Sequence, residues 1–166
     1  MISIYSDKLP RILKNKKHLE ERLNVKITNK AREVFIEGEP EDEYIAEKVI
    51  EALNYGFEFK EAMLIKEEDF ILEIIPIKSF TRRKDLARIR ARIIGKQGKT
   101  KKNLAQLTKC FFQVKENEVA ILGYPEYIYN AQEAIKSLIK GSKHSNVYKY
   151  LEKHQIKPVV DLGLKN

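Results

Sequence analysis

The sequence has very few residues that could form a cross-link or hold a metal ion. Its single cysteine, Cys110, excludes an intramolecular disulfide bond. The only histidines are His18, His144 and His154, and with Cys110 they do not have the spacing of a zinc site. We therefore expect no structural metal and no cofactor.

Long apolar segments are missing as well. No apolar run approaches the roughly 18 residues that a membrane-spanning helix requires. The N-terminus from Met1 to Tyr5 lacks the charged and then apolar regions of a signal peptide. Hydrophobic residues nevertheless make up 43% of the chain, which is enough for a buried core and excludes a disordered tail. We expect a soluble, cytoplasmic protein with no membrane partner.

Acidic residues are scarce in the second half of the chain. Residues 1–69 carry 12 basic and 16 acidic side chains, whereas residues 70–166 carry 20 basic and 8 acidic ones. Between Lys78 and Lys102 there are 11 lysines or arginines and a single acid, Asp85. A solvated helix face usually mixes both signs, so this concentration favours a polyanionic partner, with RNA or DNA ahead of a membrane surface.

The chain contains an internal repeat. When it is shifted by 85 residues, 11 of the 24 positions from Glu33 to Gly56 are identical to those from Glu118 to Gly141. Two copies of one module, each about 70 to 80 residues long, account for nearly the whole chain. We place the boundary at the acidic stretch that ends at Asp69, which gives domains of residues 1–69 and 70–166.

The second copy predicts the order strand, helix, helix, strand, strand, helix. The apolar run from Phe70 to Ile75 indicates a strand, and Asp85 is a candidate N-cap for the helix that follows. The tetrapeptide Gly95-Lys96-Gln97-Gly98 separates the two helices. A half-buried strand is indicated where Cys110, Phe112 and Val114 alternate with Phe111, Gln113 and Lys115, and residues 119–122 return as another strand before the closing helix. This order predicts an α+β fold.

The residues around the glycine loop resemble a known RNA-binding family. The stretch from Ile93 to Thr100, Ile-Ile-Gly-Lys-Gln-Gly-Lys-Thr, resembles the core of a KH domain, whose signature is a GxxG loop. The closing helix matches the type I arrangement. The stretches from Asp85 to Gly95 and from Gly141 to Tyr148 resemble the Partner-of-Nob family, the double-KH ribosome-assembly factors of archaea and eukaryotes. The short chain is typical of the archaeal form, which lacks the N-terminal extension of eukaryotic members.

This resemblance implies two tandem type I KH domains, each a three-stranded sheet packed on helices. Residues 1–69 would be a degenerate domain, because the GxxG loop is missing and Lys14-Asn15-Lys16-Lys17 follows the first helix instead. Residues 70–166 would be the RNA-binding domain, with the GxxG loop and a C-terminal helical extension. We expect the first domain to act mainly as a scaffold that faces a protein partner.

A GxxG loop permits a close approach of the sugar-phosphate backbone. Its glycines remove Cβ atoms, and the helix that begins at the loop presents free backbone N–H groups to phosphate. Ile94 and Leu107 would either form an apolar floor under the bases or be plain core residues. The RNA-binding residues that the resemblance implies are Gly95, Lys96, Gln97, Gly98, Lys99, Arg88, Arg92, Ile94, Lys101 and Lys102.

Catalytic interpretations are poorly supported by the sequence. Gly98-Lys99-Thr100 imitates the end of a phosphate-binding P-loop, but Ile93 occupies the position where that motif requires glycine. The histidines have no nucleophile or carboxylate at a suitable spacing, so we predict that the protein is not an enzyme. A GxxG sequence alone is often an ordinary helix-ending turn, and basic helix faces are often simply solvated.

The function implied by the resemblance is RNA binding during ribosome assembly. The protein would hold single-stranded ribosomal RNA, near the 3′ end of the small-subunit rRNA, during small-subunit assembly and pre-rRNA processing. The implied partners are this rRNA, the endonuclease that matures its 3′ end and a translation initiation factor subunit. The alternatives are a general single-stranded RNA chaperone, a translation-linked mRNA-binding adaptor, a purely structural adaptor and a nucleotide-dependent enzyme.

Overall fold

The computed structural model describes residues 1–155 and contains two modules of the same topology. Two short helices, α4 and α5, connect the first module to the second. The elements of this first part are β1 (Ile2–Tyr5), α1 (Leu9–Lys14), α2 (Lys16–Leu23), β2 (Lys26–Lys30), β3 (Glu33–Glu37), α3 (Pro40–Tyr55), α4 (Phe59–Ala62) and α5 (Leu64–Glu67).

The second module confirms the predicted α+β fold and the predicted order of its elements. Its closing helix is followed by one more helix, α9, and residues 156–166 of the predicted C-terminal extension lie outside the described residues. None of the helices described has the length and apolarity needed to cross a membrane. The elements are β4 (Ile71–Pro76), α6 (Leu86–Ile94), α7 (Lys99–Thr108), β5 (Phe111–Lys115), β6 (Glu118–Gly123), α8 (Pro125–Ile139) and α9 (His144–Lys153).

Local chemistry accounts for the start of the second module. Strand β4 includes Pro76, one residue beyond the apolar run from Phe70 to Ile75 that predicted the strand. Proline is tolerated there because β4 is an edge strand, where a missing N–H costs no ladder bond. Asp85 directly precedes α6 as expected, but its side chain forms no capping hydrogen bond.

Each module has one three-stranded antiparallel sheet with its last strand in the middle. The strand orders are β1-β3-β2 and β4-β6-β5. In the second sheet, Ile121 of β6 lies opposite Glu73 on one side and Phe112 on the other. Ile121 and Phe112 are buried in a core shared with the module's own helices. This packing fixes α6 and α7, and the loop between them, relative to β5.

The other face of the second sheet packs against the first module. Ala120 and Leu122 of β6 are fully buried and belong to the hydrophobic core of the first module. Ile74 and Phe111 are partly buried beside them, and α3 lies against β5 and β6. Because side chains alternate across a strand, one face of this sheet covers its own helices while the other covers the neighbouring module. The two modules therefore share a continuous core.

Polar contacts also join the modules at the edge of this core. The Tyr55 hydroxyl donates a hydrogen bond of 3.0 Å to Oε1 of Glu118. Lys115 Nζ donates to Oδ1 of Asp7 at 2.7 Å and to the backbone oxygen of Asn54 at 3.0 Å. Burial and the hydrogen bond to Glu118 raise the pKa of Tyr55, so its hydroxyl remains a donor at neutral pH. These contacts hold β5 and the β5–β6 turn against the first module.

Candidate nucleic-acid interface

The Gly95–Gly98 loop joins α6 to α7 through one tight turn. Gly95, Gln97 and Gly98 have φ values of 77°, 55° and 75°. The backbone N–H of Gly98 donates to the oxygen of Gly95 at 3.1 Å, which closes the turn. Positive φ values cost glycine little conformational energy. Gln97 adopts such a value although it carries a Cβ.

The two glycines of the loop meet different surroundings. A Cβ on Gly95 would lie 2.2 Å from Oγ1 of Thr100 and 2.6 Å from its backbone nitrogen. A Cβ on Gly98 would have no atom within 4 Å. Packing against the start of α7 therefore excludes a side chain at Gly95, while Gly98 leaves open space at the surface.

Positive charge surrounds this open space. Lys96 and Gln97 are exposed on the loop, Lys99 and Lys102 are exposed on the first turns of α7, and Lys101 is half-buried. The first turn of α7 contains no acidic residue. Its N-terminal N–H groups and dipole are therefore not offset by a carboxylate of the same turn, which favours binding of an anion.

A cleft of about 240 Å³ lies between the loop, α7 and β5. On α7 its lining residues recur three or four positions apart, so they share one face of the helix. Across the cleft, Lys101 Nζ donates a hydrogen bond of 3.2 Å to Oε1 of Gln113 on β5. The lining residues are Glu61, Gly98, Lys101, Lys102, Ala105, Phe111, Phe112 and Gln113. We call this cleft the groove.

The apolar lining of the groove comes from residues other than Ile94 and Leu107, for which both a floor under the bases and a plain core role were open. Ala105 and Phe111 line it, whereas Leu107 lines a separate cleft with Tyr148 between α7 and α9. Leu107 therefore faces away from the groove. Ile94 is 37% exposed beside the loop and is not among the lining residues. Ala105 lies seven residues after Gly98, a helical spacing that would have identified it from the sequence.

The first module contributes one wall of the groove. Glu61 of α4 lines it, and its Oε1 accepts a hydrogen bond of 3.0 Å from the backbone N–H of Glu58 in a capping box. This bond fixes the carboxylate at the start of α4. Sequence reasoning missed Glu61, because its position depends on how the modules pack and no local pattern marks it.

Arg88 and Arg92, both predicted to contact RNA, have different environments. The guanidinium of Arg92 donates to the backbone oxygens of Leu138 and Ser142 at the end of α8. The backbone oxygen of Arg92 accepts a hydrogen bond of 2.9 Å from Nε2 of His144. Arg88 is exposed and forms no hydrogen bond or ion pair with any side chain of residues 1–155. The guanidinium of Arg92 is thus hydrogen-bonded within the second module, whereas the side chain of Arg88 is exposed to solvent.

The one thiol of the chain lies close to the groove but is not reactive. Cys110 is buried between α7 and β5, where its Sγ lies 2.6 Å from the position of a Cβ on Gly123. Burial raises the pKa of Cys110 to about 12, against a smaller opposing effect of its hydrogen bond to Thr108. The thiol therefore stays protonated at neutral pH and packs as a small apolar group.

The first module has no equivalent loop between its first two helices. Only Asn15 separates α1 from α2, with a φ of −104°. Its side-chain amide donates to the backbone oxygen of Arg11 at 2.9 Å. Leu13, the counterpart of Ile94 in the repeat, is 41% exposed. A junction of one residue without glycine offers no space for a phosphate in the KH manner.

Comparison with known families gives one match over about half of the chain. A family model for the second KH domain of PNO1 proteins, described as a eukaryotic type KH domain of type I, matches residues 71–156. This range contains the loop, the groove-lining part of α7 and the whole second sheet.

Related proteins and a solved structure extend the similarity to both modules. A KH domain-containing protein of Methanocaldococcus jannaschii is 32% identical over 149 residues, which cover 86% of this chain and 66% of that protein. The pre-rRNA-processing protein pno1 of Aspergillus oryzae is 32% identical over 111 residues, 64% of this chain and 43% of that protein. The chain thus spans less than two thirds of these relatives. A crystal structure of the a/eIF2alpha–aDim2p–rRNA complex from Pyrococcus horikoshii matches with a TM-score of 0.82 at 31% identity, covering 92% of each chain.

Proposed function

The chain belongs to the PNO1 family of type I KH-domain proteins, and we propose that its second module binds single-stranded RNA in the groove. The observation that carries this proposal is the open space at Gly98, where a Cβ would meet no atom within 4 Å. Exposed Lys96 and Lys99 flank that space. A phosphate could approach the backbone there and be neutralised by both ammonium groups.

The groove suits unpaired bases rather than a duplex. Its volume of about 240 Å³ and its apolar lining by Ala105 and Phe111 fit flat, unstacked bases. Gln113 and Lys101 add groups that can hydrogen-bond to base edges. Among the basic residues of α6, exposed Arg88 is the one that we place on the RNA.

We further propose that the bound RNA is the 3′ region of small-subunit rRNA, during assembly of the small ribosomal subunit and pre-rRNA processing. The rRNA in the Pyrococcus horikoshii complex and the name of the Aspergillus oryzae relative support this choice. The proposed partners are a translation initiation factor subunit, as in that complex, and the endonuclease that matures the rRNA. The protein would act in the cytoplasm by binding, without catalysing a reaction itself.

The test of the groove replaces the two exposed residues between its glycines. In Lys96→Asp/Gln97→Asp, two carboxylates stand where phosphate must approach, and no buried residue is changed. We expect the affinity for a single-stranded RNA to fall at least about tenfold, because phosphate neutralisation dominates such binding. Fluorescence anisotropy with a labelled RNA of random sequence measures the loss, and thermal unfolding verifies the fold.

The β2–β3 turn of the first module provides a matched control. Lys30 and Ala31 are exposed, and Ala31 has a φ of 52°, close to the 55° of Gln97. The variant Lys30→Asp/Ala31→Asp therefore makes the same change of charge, with a similar positive φ at its second position. Its RNA affinity should stay within about twofold of the parent protein. Equal losses in both variants would show general charge attraction, and no loss in either would place the RNA elsewhere.

A further inference from the structure

The groove ends at the junction between the two modules. Gln113, which accepts the hydrogen bond from Lys101, also faces Gly56 at the end of α3. Its Oε1 lies 3.7 Å from the position that a Cβ on Gly56 would take, and Lys8 Nζ lies 3.4 Å from the same point. The ammonium group of Lys8 is therefore next to a residue that lines the groove. We call Lys8, Gly56 and Gln113 the junction surface.

Gly56, within the junction surface, has a backbone conformation that favours glycine. Gly56 has a φ of 106° and ends α3, so a residue with a Cβ would be strained there, while the added Cβ would be in ordinary van der Waals contact with Lys8. Arg11 holds this turn in place, since its Nη1 donates to the backbone oxygens of Gly56 at 3.0 Å and Phe57 at 2.8 Å. Its guanidinium adds positive charge beside Lys8.

Lys8 has no ion-pair partner among the described residues. Asp7 is its neighbour in sequence, but the carboxylate of Asp7 is bound by Lys115, whose hydrogen bond lowers the pKa of Asp7. Glu61 lines the groove, and the cleft that contains Asp7 and Lys115 is also lined by acids, namely Glu47, Glu51, Glu116 and Glu118. An anion leaving the groove past Gln113 would nevertheless meet a cation at Lys8.

We propose that an RNA strand longer than the groove continues over Gly56, and that Lys8 of the first module binds a phosphate of the nucleotides outside the groove. This extension depends on the proposed function of the groove. A KH groove holds about four nucleotides, so the Lys8 contact forms only with longer strands. The first module thereby contributes to RNA binding although it has no GxxG loop.

The experiment compares the affinities of the full chain and its variants for a short and a long RNA. Single-stranded RNAs of random sequence, four or ten nucleotides long, are titrated against the parent protein and Lys8→Ala by NMR. For the ten-nucleotide RNA we expect Lys8→Ala to lower the affinity about threefold or more, and to reduce the slope of log affinity against log salt by about 0.7, the loss of one phosphate contact. The affinity for the four-nucleotide RNA should not change. Lys30→Ala, an exposed lysine of the first module, should affect neither RNA.

The outcomes separate the extension from the groove. Unchanged binding of the ten-nucleotide RNA by Lys8→Ala, or an equal loss with both RNAs, would overturn the proposed path, because the contact would then be absent or inside the groove. Lys96→Asp/Gln97→Asp tests the groove separately, since it should weaken both RNAs. If it weakens both while Lys8→Ala weakens neither, the groove stands and the extension fails.

Discussion

At the scale of single residues, the two glycines of the loop differ in their surroundings. Gly95 lies against the start of α7, where a Cβ would be 2.6 Å from the backbone nitrogen of Thr100. Gly98 has a similar positive φ but faces open space. Gly95 is thus required by the packing of the loop, whereas Gly98 leaves the space in which we propose that a phosphate approaches. This difference is invisible in the sequence, where both glycines look alike.

Alanine substitutions at the two glycines should have different effects. Gly95→Ala adds a collision with backbone to the strain of a positive φ, so we expect it to lower the free energy of unfolding by more than about 2 kcal/mol. Gly98→Ala should cost only about 1 kcal/mol of stability, but its Cβ should weaken RNA binding several-fold by keeping the phosphate away. Urea unfolding and RNA titration measure the two effects.

Gly141, between α8 and α9, is the control for backbone strain. It has a φ of 102°, and a Cβ there would also meet no atom within 4 Å. Gly141→Ala should therefore cost about as much stability as Gly98→Ala, roughly 1 kcal/mol, without a change in RNA affinity. If both alanine variants weaken RNA binding equally, lost stability rather than blocked approach is the cause.

At the level of elements, α6 supports the loop and carries Arg88, which we propose to contact RNA. Arg92 ties its last turn to the end of α8 and to α9 through Leu138, Ser142 and His144. Arg88, one turn earlier, is exposed. Helix α9, which follows the six elements of the KH order, therefore helps to fix the orientation of α6 and of the loop at its end.

Alanine substitutions in α6 should distinguish these two roles. Arg92→Ala removes the hydrogen bonds that a charged guanidinium donates to the partly buried backbone oxygens of Leu138 and Ser142. We therefore expect a loss of about 1.5–3 kcal/mol in the free energy of unfolding. Arg88→Ala should leave stability within about 0.5 kcal/mol and should lower RNA affinity about threefold. Chemical unfolding and RNA titration of both variants check this. A stable Arg92→Ala protein with weakened RNA binding would instead place Arg92 on the RNA.

The order of elements could be predicted because each has a local signal. The alternation from Cys110 to Lys115 and the glycine loop each specify a strand or a break without reference to the rest of the chain. The groove wall at Glu61 could not be predicted, since it forms only when α4 packs beside β5. One signal for that packing was present: residues 119–122 are continuously apolar, as in a strand buried on both faces.

The whole molecule folds around a core that crosses the module boundary. Neighbouring residues of β6 point to opposite sides: Ile121 into the second module and Leu122 into the first, both fully buried. Phe70, the first residue after the predicted boundary, packs its ring edge-to-face on Tyr124 with centroids 4.6 Å apart. A cut at this boundary would expose the apolar face formed by Leu72 and Leu122. The sequence repeat marks two modules, but the packing makes them one unit.

Because the modules share a core, a destabilising substitution in one module should also destabilise the other. Ile121→Ala should lower the free energy of unfolding by about 2–5 kcal/mol. Because Leu122 links β6 to the first module, amides of β3 should lose protection from hydrogen exchange together with those of β6. Mass spectrometry of peptides from both strands measures this, with Leu122→Ala as the matched substitution on the opposite face. If Ile121→Ala speeds exchange only in the second module, the modules unfold independently and the RNA path across Gly56 would join two separately moving parts.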